Sequence, residues 1–300
     1  MTEKELQSMP DVEAAFFDID RTLVASGTHV LHDGLSYVLD PEHRRFSFTE
    51  VTARGVGLYQ DVVRKNPELV PSAGLPVGLE YGTQLVTSTD YTDASCYKSV
   101  HHTALSLHEQ TELMSLISDL PFLRVAFYGQ YPAQPRTLWF PSSSQHGNQS
   151  QNTEAGITRC GPINSLARAI EDAQPGMVAV KFRNTDTPVT KDVSLTTHVT
   201  RFSGTKTLDF LPANADKSAA VLRIASILGL RREAILVGGD SLPDLGMLSI
   251  EGIKAVVVRN PNVDASIFPA HIDRVEPRDF ADYLGRIKNA PLSEGQNKTV

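Results

Sequence analysis

Three short apolar runs punctuate the chain, at 14–17, 234–237 and 255–258, and each ends on polar residues. Their hydrophobicity is continuous rather than alternating, which predicts strands buried on both faces, as in a parallel sheet covered by helices. A further strand is expected over 46–51 and a short helix over 243–248. Between 216 and 230 the apolar residues Ala220, Ile224, Ile227 and Leu228 recur at i, i+4, i+7 and i+8, one face of a helix. Gly229 stands where a glycine would end that helix. Strands alternating with helices predict a doubly wound α/β sheet.

The middle of the chain has a different rhythm. Helical patterns over 105–120 and 162–173 mix with alternating strands over 178–182 and 194–202, an α+β arrangement. The segment 141–156, PSSSQHGNQSQNTEAG, is poor in apolar residues and is expected to be a mobile loop. The expected fold class is therefore α/β, a mainly parallel Rossmann-like core with an inserted α+β cap domain. Residues 1–87 and 207–300 form the core, and 88–206 form the insertion.

Composition narrows the function. The 300 residues carry 28 Lys+Arg against 35 Asp+Glu, a formal charge of −7. A chain that coats nucleic acid usually has a basic excess, so a nucleic-acid partner is not expected. No run reaches the roughly 18 apolar residues of a membrane span, and the polar amino terminus shows no secretory h-region. Two cysteines, Cys96 and Cys160, make neither a CxxC pair nor a disulfide scaffold. A cytoplasmic protein is expected, monomeric or a small homo-oligomer, with a small molecule as its partner.

The candidate chemistry lies just past the strands, where open α/β sheets hold their ligands. Asp18-Ile19-Asp20-Arg21-Thr22 follows the first strand, Thr52-Ala53-Arg54 the second, and Asp240-Ser241-Leu242-Pro243-Asp244 the third. Lys217 heads the 216–230 helix. A carboxylate can attack phosphorus and form an aspartyl-phosphate. A second carboxyl can protonate the leaving oxygen and later deprotonate water. Asp18 and Asp20 share a face of an extended chain. Oxygen-only carboxylate ligands suit Mg²⁺, and a lysine offsets phosphoryl charge. Each motif alone reads as a solvated turn, a cap or a surface charge; their order along the chain makes the signal.

That order (DxDxT, Thr-x-Arg, Lys, GDSxxD) resembles the haloacid dehalogenase (HAD) superfamily of phosphatases, subfamily IIB with a C2-type cap. Glu80-Tyr81-Gly82-Thr83 stands where relatives carry an Asn-Gly turn, and Leu208-Asp209-Phe210-Leu211-Pro212 resembles the strand leading to the lysine. The resemblance implies roles. Asp18 would be the nucleophile and a Mg²⁺ ligand, and Asp20 the general acid/base, its carbonyl facing the metal. Thr52 would bond the transferring phosphoryl group and Lys217 neutralise it. Asp240 and Asp244 would bind or support the metal. Arg21, Thr22, Arg54 and Asn260 would contact substrate. Arg21 departs from the family's usual glycine and Pro243 from its usual asparagine.

The expected activity is Mg²⁺-dependent hydrolysis of a small phosphomonoester, with sugar phosphates as the leading class. The alternatives are a phosphomutase or phosphotransferase on the same scaffold, and a phospho-ligand binding protein without turnover. Lys98, His101, His102, Lys181, Arg183, His198 and Arg201 are the cap candidates for substrate contacts.

Overall fold

The computed structural model describes residues 11–25, 28–118, 122–130, 137–141, 151–153, 156–183, 195–202 and 205–289. The chain divides into two compact units, one built from both ends (1–96 and 216–300) and one from the middle (97–215). The architecture is α/β, a parallel Rossmann-like core with an inserted unit.

The first unit is organised around five parallel strands: β1 (Ala14–Phe17), β2 (Ser47–Glu50), β3 (Ile235–Gly239), β4 (Lys254–Val258) and β5 (Asp273–Val275). Their spatial order is β5-β4-β3-β1-β2. The chain passes from β1 to β2 on one side and returns as β3 on the other, so the order reverses between β1 and β3. All four β1 residues are buried. Phe17 packs against Phe46, Phe48 and Phe280. Close packing demands a glycine across from it, since a Cβ on Gly238 would lie 2.7 Å from the Phe17 ring.

Helix α1 (Val56–Lys65) buries Val56, Tyr59, Val62 and Val63. Helix α2 (Lys217–Leu228) is capped by Asp216, whose carboxylate accepts from the Ala219 N–H. It ends at Gly229, with φ at +65°. Its buried apolar face is Ala220, Val221, Ile224 and Ala225. Ile227, expected on that face, is exposed, because the last turn runs past the packed surface.

The second unit has its own core. Its seven strands lie in the order 196–202, 205–211, 177–183, 124–128, 137–141, 156–161, 151–153. One face buries Val125, Phe127, Val178, Val180 and Phe182 against Leu113 and Ile117 of Leu107–Ile117 and Leu166 and Ile170 of Ile163–Ala173. The loop expected over 141–156 falls mostly outside the described residues. Its described part differs from that expectation, because Gln151–Thr153 pairs antiparallel with Gly156–Thr158. A polar edge strand can form on main-chain hydrogen bonds alone. No helix among the described residues is long and apolar enough to cross a membrane.

Candidate active site

The order reversal between β1 and β3 opens a crevice at the carboxyl ends of two adjacent strands. Asp18 leaves β1 there, its N–H donating to Gly238 O at 2.9 Å. Asp240 leaves β3 beside it, and Asp244 stands one short turn further on. Carboxylate oxygens of Asp18, Asp240 and Asp244 lie within 4.8 Å of one another, and all three residues are buried.

Lys217 binds this cluster from α2. Its Nζ donates to Asp18 Oδ1 at 2.5 Å and to Asp244 Oδ1 at 2.6 Å, and the residue is only 2% exposed. Asp216 makes this placement possible by capping the helix so that its first residue points into the crevice. Burial alone would lower the lysine pKa; the two carboxylates override it and raise it. The ammonium is therefore fixed.

Asp244 is fully committed. Its Oδ2 accepts from the N–H groups of Asp240 and Ser241 and from Ser241 Oγ, at 2.9–3.0 Å. It closes the capping box of the turn Leu242–Asp244, whose N-cap is Ser241, and also anchors Lys217. Gly239 must be a glycine, since a Cβ there would collide with the Asp244 side chain.

Among the described residues, nothing donates to the second carboxylate oxygen of Asp18 or of Asp240. Asp18 gives Oδ1 to Lys217; Asp240 gives Oδ2 to Asn260 Nδ2 at 2.6 Å. Burial pushes the Asp18 carboxyl well up, an effect that Lys217 opposes and the neighbouring carboxylates reinforce. Burial and Asp244 lift Asp240 to about 7, against the pull of Asn260 and Lys217. Three carboxyls thus face one ammonium, and with all three ionised two negative charges would be uncompensated in a buried site, which is why burial raises Asp18 and Asp240. Hard oxygen donors with that excess fit a divalent cation such as Mg²⁺.

The other predicted residues sit around this centre. Asp20 is outside the three-carboxylate cluster. Both its oxygens are held by Arg54, through Nη2 at 2.6 Å and Nε at 2.9 Å. Such a bidentate pair fixes the orientation of both side chains. Thr52 is buried at the end of β2, and its Oγ1 accepts from the Arg54 N–H at 3.2 Å. Thr22 is buried, and its hydroxyl has no hydrogen-bond partner among the described residues. Arg21 is exposed, in the left-handed region at φ +64°, and its charge helps to lower Asp240. Asn260 orients Asp240 directly.

In the second unit Lys181 and Arg183 share a face with Ala179, opposite the buried Val180 and Phe182. Lys98 is exposed. His101 Nε2 is 2.9 Å from Thr103 Oγ1, and His102 Nε2 is 3.1 Å from Gln174 O. His198 and Arg201 lie on Thr196–Phe202; the Arg201 side chain is outside the described set.

No local pattern signals the Asp20–Arg54 pair or the burial of Glu50 and Glu80. Asp216 was detectable, as an N-cap residue immediately before an apolar-periodic run.

Comparison with known proteins agrees with this geometry. The family model for sucrose-6F-phosphate phosphohydrolase matches residues 188–269, the stretch that carries Lys217, Asp240, Asp244 and Asn260. A HAD/Cof-like hydrolase from Plasmodium vivax superposes with a TM-score of 0.65 at 15% identity, over 95% of this chain and 98% of that one. The chain has the fold of the HAD-superfamily phosphatases. A HAD subclass IIB sugar phosphatase gives a TM-score of 0.62 at 12% identity, covering 91% and 98%. A haloacid dehalogenase-like hydrolase from Bacteroides thetaiotaomicron gives 0.55 at 12%, covering 92% and 100%. No curated protein matched by sequence.

Proposed function

We propose that this HAD-fold protein is a Mg²⁺-dependent phosphomonoester hydrolase acting on a small phosphorylated metabolite, with sugar phosphates as the leading class. The observation that carries this reading is the Lys217 ammonium bonded to Asp18 while the second Asp18 oxygen stays open. A nucleophile for phosphorus needs one unblocked oxygen and a fixed orientation, and Asp18 has both.

Asp240 would hold the cation through its open oxygen and Asp18 through the oxygen it shares with Lys217, with the Asp20 carbonyl, while Asp244 supports them; Asp18 Oδ2 is then left free for phosphorus. When bound, the cation supplies the positive charge that lets an anionic ester approach a buried acidic crevice.

The chain's own groups do the rest. Asp18 Oδ2 forms a bond to phosphorus as the ester P–O bond breaks, and Asp20 gives its proton to the departing oxygen. Water then attacks phosphorus, losing a proton to Asp20, as the P–O bond to Asp18 breaks and orthophosphate forms. Splitting the reaction in two lowers each barrier. Thr52 donates its hydroxyl hydrogen to a phosphoryl oxygen, and Lys217 offsets charge on the transferring group. Arg54 occupies both Asp20 oxygens at rest, so one of those bonds must be exchanged for the leaving oxygen during turnover.

The inserted unit, read as a C2-type cap, would set specificity through the open face bearing Lys181 and Arg183. The sucrose-6F-phosphate phosphohydrolase match and the likeness to a sugar phosphatase support the sugar-phosphate class.

Steady-state turnover of p-nitrophenyl phosphate followed by a sugar-phosphate panel tests this. Release of phosphate with Mg²⁺, its loss with EDTA, and a preference for one phosphosugar are expected. Absence of metal-dependent turnover by folded protein would defeat the enzyme reading. Transfer to a second sugar hydroxyl instead of water would favour a phosphomutase.

A further inference from the structure

The loop that carries Thr52 and Arg54 is short of support from its own strand. β2 ends at Glu50, and the loop's backbone is held from the 78–81 segment instead. The Thr52 N–H donates to Gly78 O at 2.8 Å. In return the Tyr81 N–H donates to Thr52 O at 2.8 Å and the Glu80 N–H to Arg54 O at 3.0 Å. Both carbonyls of the loop's functional residues therefore end on one tight turn.

That turn is unusual. Glu80, Tyr81 and Gly82 have φ of +53°, +59° and +89°, three successive residues in the left-handed region, two of them not glycine. Such a run persists only where its surroundings over-determine it. One constraint is packing. A Cβ on Gly82 would lie 2.5 Å from Ala220 Cβ and 3.0 Å from Asp216 O, so the turn sits flush on the first turn of α2, which bears Lys217. The other constraint is Glu80 itself, 2% exposed, whose Oε2 accepts from Gln84 Nε2 at 2.9 Å.

We propose that Glu80 is a positioning residue for the phosphoryl-binding loop: its buried side chain locks the left-handed turn whose N–H groups hold Thr52 and Arg54 in place. The inference rests on the reading of the site as a phosphomonoester-cleaving one.

Glu80 does this work as an uncharged acid. Burial pushes its carboxyl to about 8, against the hydrogen bonds from Gln84 and Thr83. The charged groups on the elements packed against the turn are engaged elsewhere. Arg54 is held by Asp20, Lys217 by Asp18 and Asp244, and Asp216 by Ser218 and the Ala219 N–H. The hairpin strands Val77–Leu79 and Gln84–Ser88 contribute no titratable side chain. Below about 8 the proton is present and the turn is closed; above it a buried carboxylate without a cation forces the turn open.

The test compares wild type, Glu80→Gln and Glu80→Ala as full chains, reading kcat and KM for p-nitrophenyl phosphate from pH 6 to pH 9. Glu80→Gln keeps the shape and the acceptor oxygen without a titratable proton. It is expected to match wild-type kcat at neutral pH and to keep it at pH 9, where wild type falls about tenfold relative to it. Glu80→Ala is expected to lose roughly 10- to 100-fold in kcat at neutral pH, the usual scale for a misplaced catalytic group. Amide exchange gives a readout that needs no turnover. Glu80→Ala at neutral pH, and wild type at pH 9, should lose protection at Thr52, Arg54, Glu80 and Tyr81, while Glu80→Gln keeps it. Unchanged kcat or unchanged protection in a folded Glu80→Ala overturns the inference. So does a Glu80→Gln variant as impaired as Glu80→Ala, or one with the wild-type alkaline decline. If wild type has no phosphatase activity, the proposed function fails, and the exchange experiment alone decides the role of Glu80.

Discussion

The two units of this molecule bury polar groups in opposite ways. Among the described residues of the first unit, Asp18, Thr22, Glu50, Thr52, Glu80, Lys217, Asp240, Asp244 and Asn260 are all buried, most of them at strand ends. Among its described residues the second unit buries only Glu109, Gln110, Thr137 and Asp209. Two of those four serve helix ends. Glu109 completes a capping box with Ser106 and accepts from the Ala213 N–H, and Gln110 donates to Leu105 O. A buried charge is costly unless paired, and the first unit gathers four ionisable groups, Asp18, Lys217, Asp240 and Asp244, in one crevice. Among its described residues the second unit's interior is mostly apolar packing, with Glu109 and Asp209 its buried acids. The contrast separates a reacting centre from a scaffold before any substrate is considered.

Substitutions can break this contrast. Asp18→Asn removes the attacking oxygen's charge while keeping its shape. It is expected to lower kcat for p-nitrophenyl phosphate by about 10⁴-fold or more, as loss of a covalent nucleophile does. Residual activity within tenfold of wild type would remove Asp18 from the mechanism.

Lys217→Met comes next. It deletes the ammonium that two buried carboxylates share, and a loss of roughly 10²- to 10³-fold in kcat is expected. Breaking a buried pair from one side also costs about 3–5 kcal/mol of stability, readable by urea denaturation without metal. Added Mg²⁺ should recover part of that stability, because the variant's cluster carries a larger charge excess.

The acidity of the cluster sharpens the contrast further. Asp240, lifted to about 7, must be ionised to hold a cation. Its folded pKa is raised, so protons compete with metal below that value and the competition ends above it. Mg²⁺ affinity should therefore rise with pH through about 7, by up to tenfold per unit for each proton displaced, since Asp18 is raised as well. Calorimetry in buffers of different ionisation enthalpy would detect the proton released. A pH-independent affinity with no proton release would place the metal elsewhere.

The smallest effect is expected in the second unit. Glu109→Ala removes a capping box and the bond from Ala213, and should cost about 1–2 kcal/mol of stability. Its turnover of p-nitrophenyl phosphate should stay within about threefold of wild type, since no group at the reacting centre changes. A large loss of activity here would contradict the division between centre and scaffold.

How much of this was legible beforehand follows the same division. Continuous apolar runs ending in polar residues located β1, β3 and β4, because parallel strands buried on both faces leave that pattern. The periodic run from Ala220 and the glycine at 229 located α2. The core motifs were readable because their spacing is set by strand ends. The pairings were not. Lys217 and Asp18 are 199 residues apart, Arg54 and Asp20 are 34 apart, and no local pattern encodes either contact. Asn260 was expected near the phosphate; that it donates to Asp240 only the geometry reveals. Glu80 was invisible for another reason. An acid in a turn is ordinarily solvated, and only its burial under the 52–54 loop and α2 makes it notable. In the second unit, alternation correctly set the faces of Met177–Arg183, while the polar strand Gln151–Thr153 carried no hydrophobic signal at all.

The central claim is that Asp18 carries the phosphoryl group during turnover. Acid-quenching the enzyme during hydrolysis of a phosphate-labelled substrate with Mg²⁺, then mapping the label by peptide mass spectrometry, tests it directly. The account predicts a hydroxylamine-sensitive acyl phosphate on the peptide containing Asp18, absent with EDTA and absent in Asp18→Asn. Rapid metal-dependent turnover with no label on Asp18 under conditions where hydrolysis of the intermediate is slowed, or a label on another residue, would contradict it.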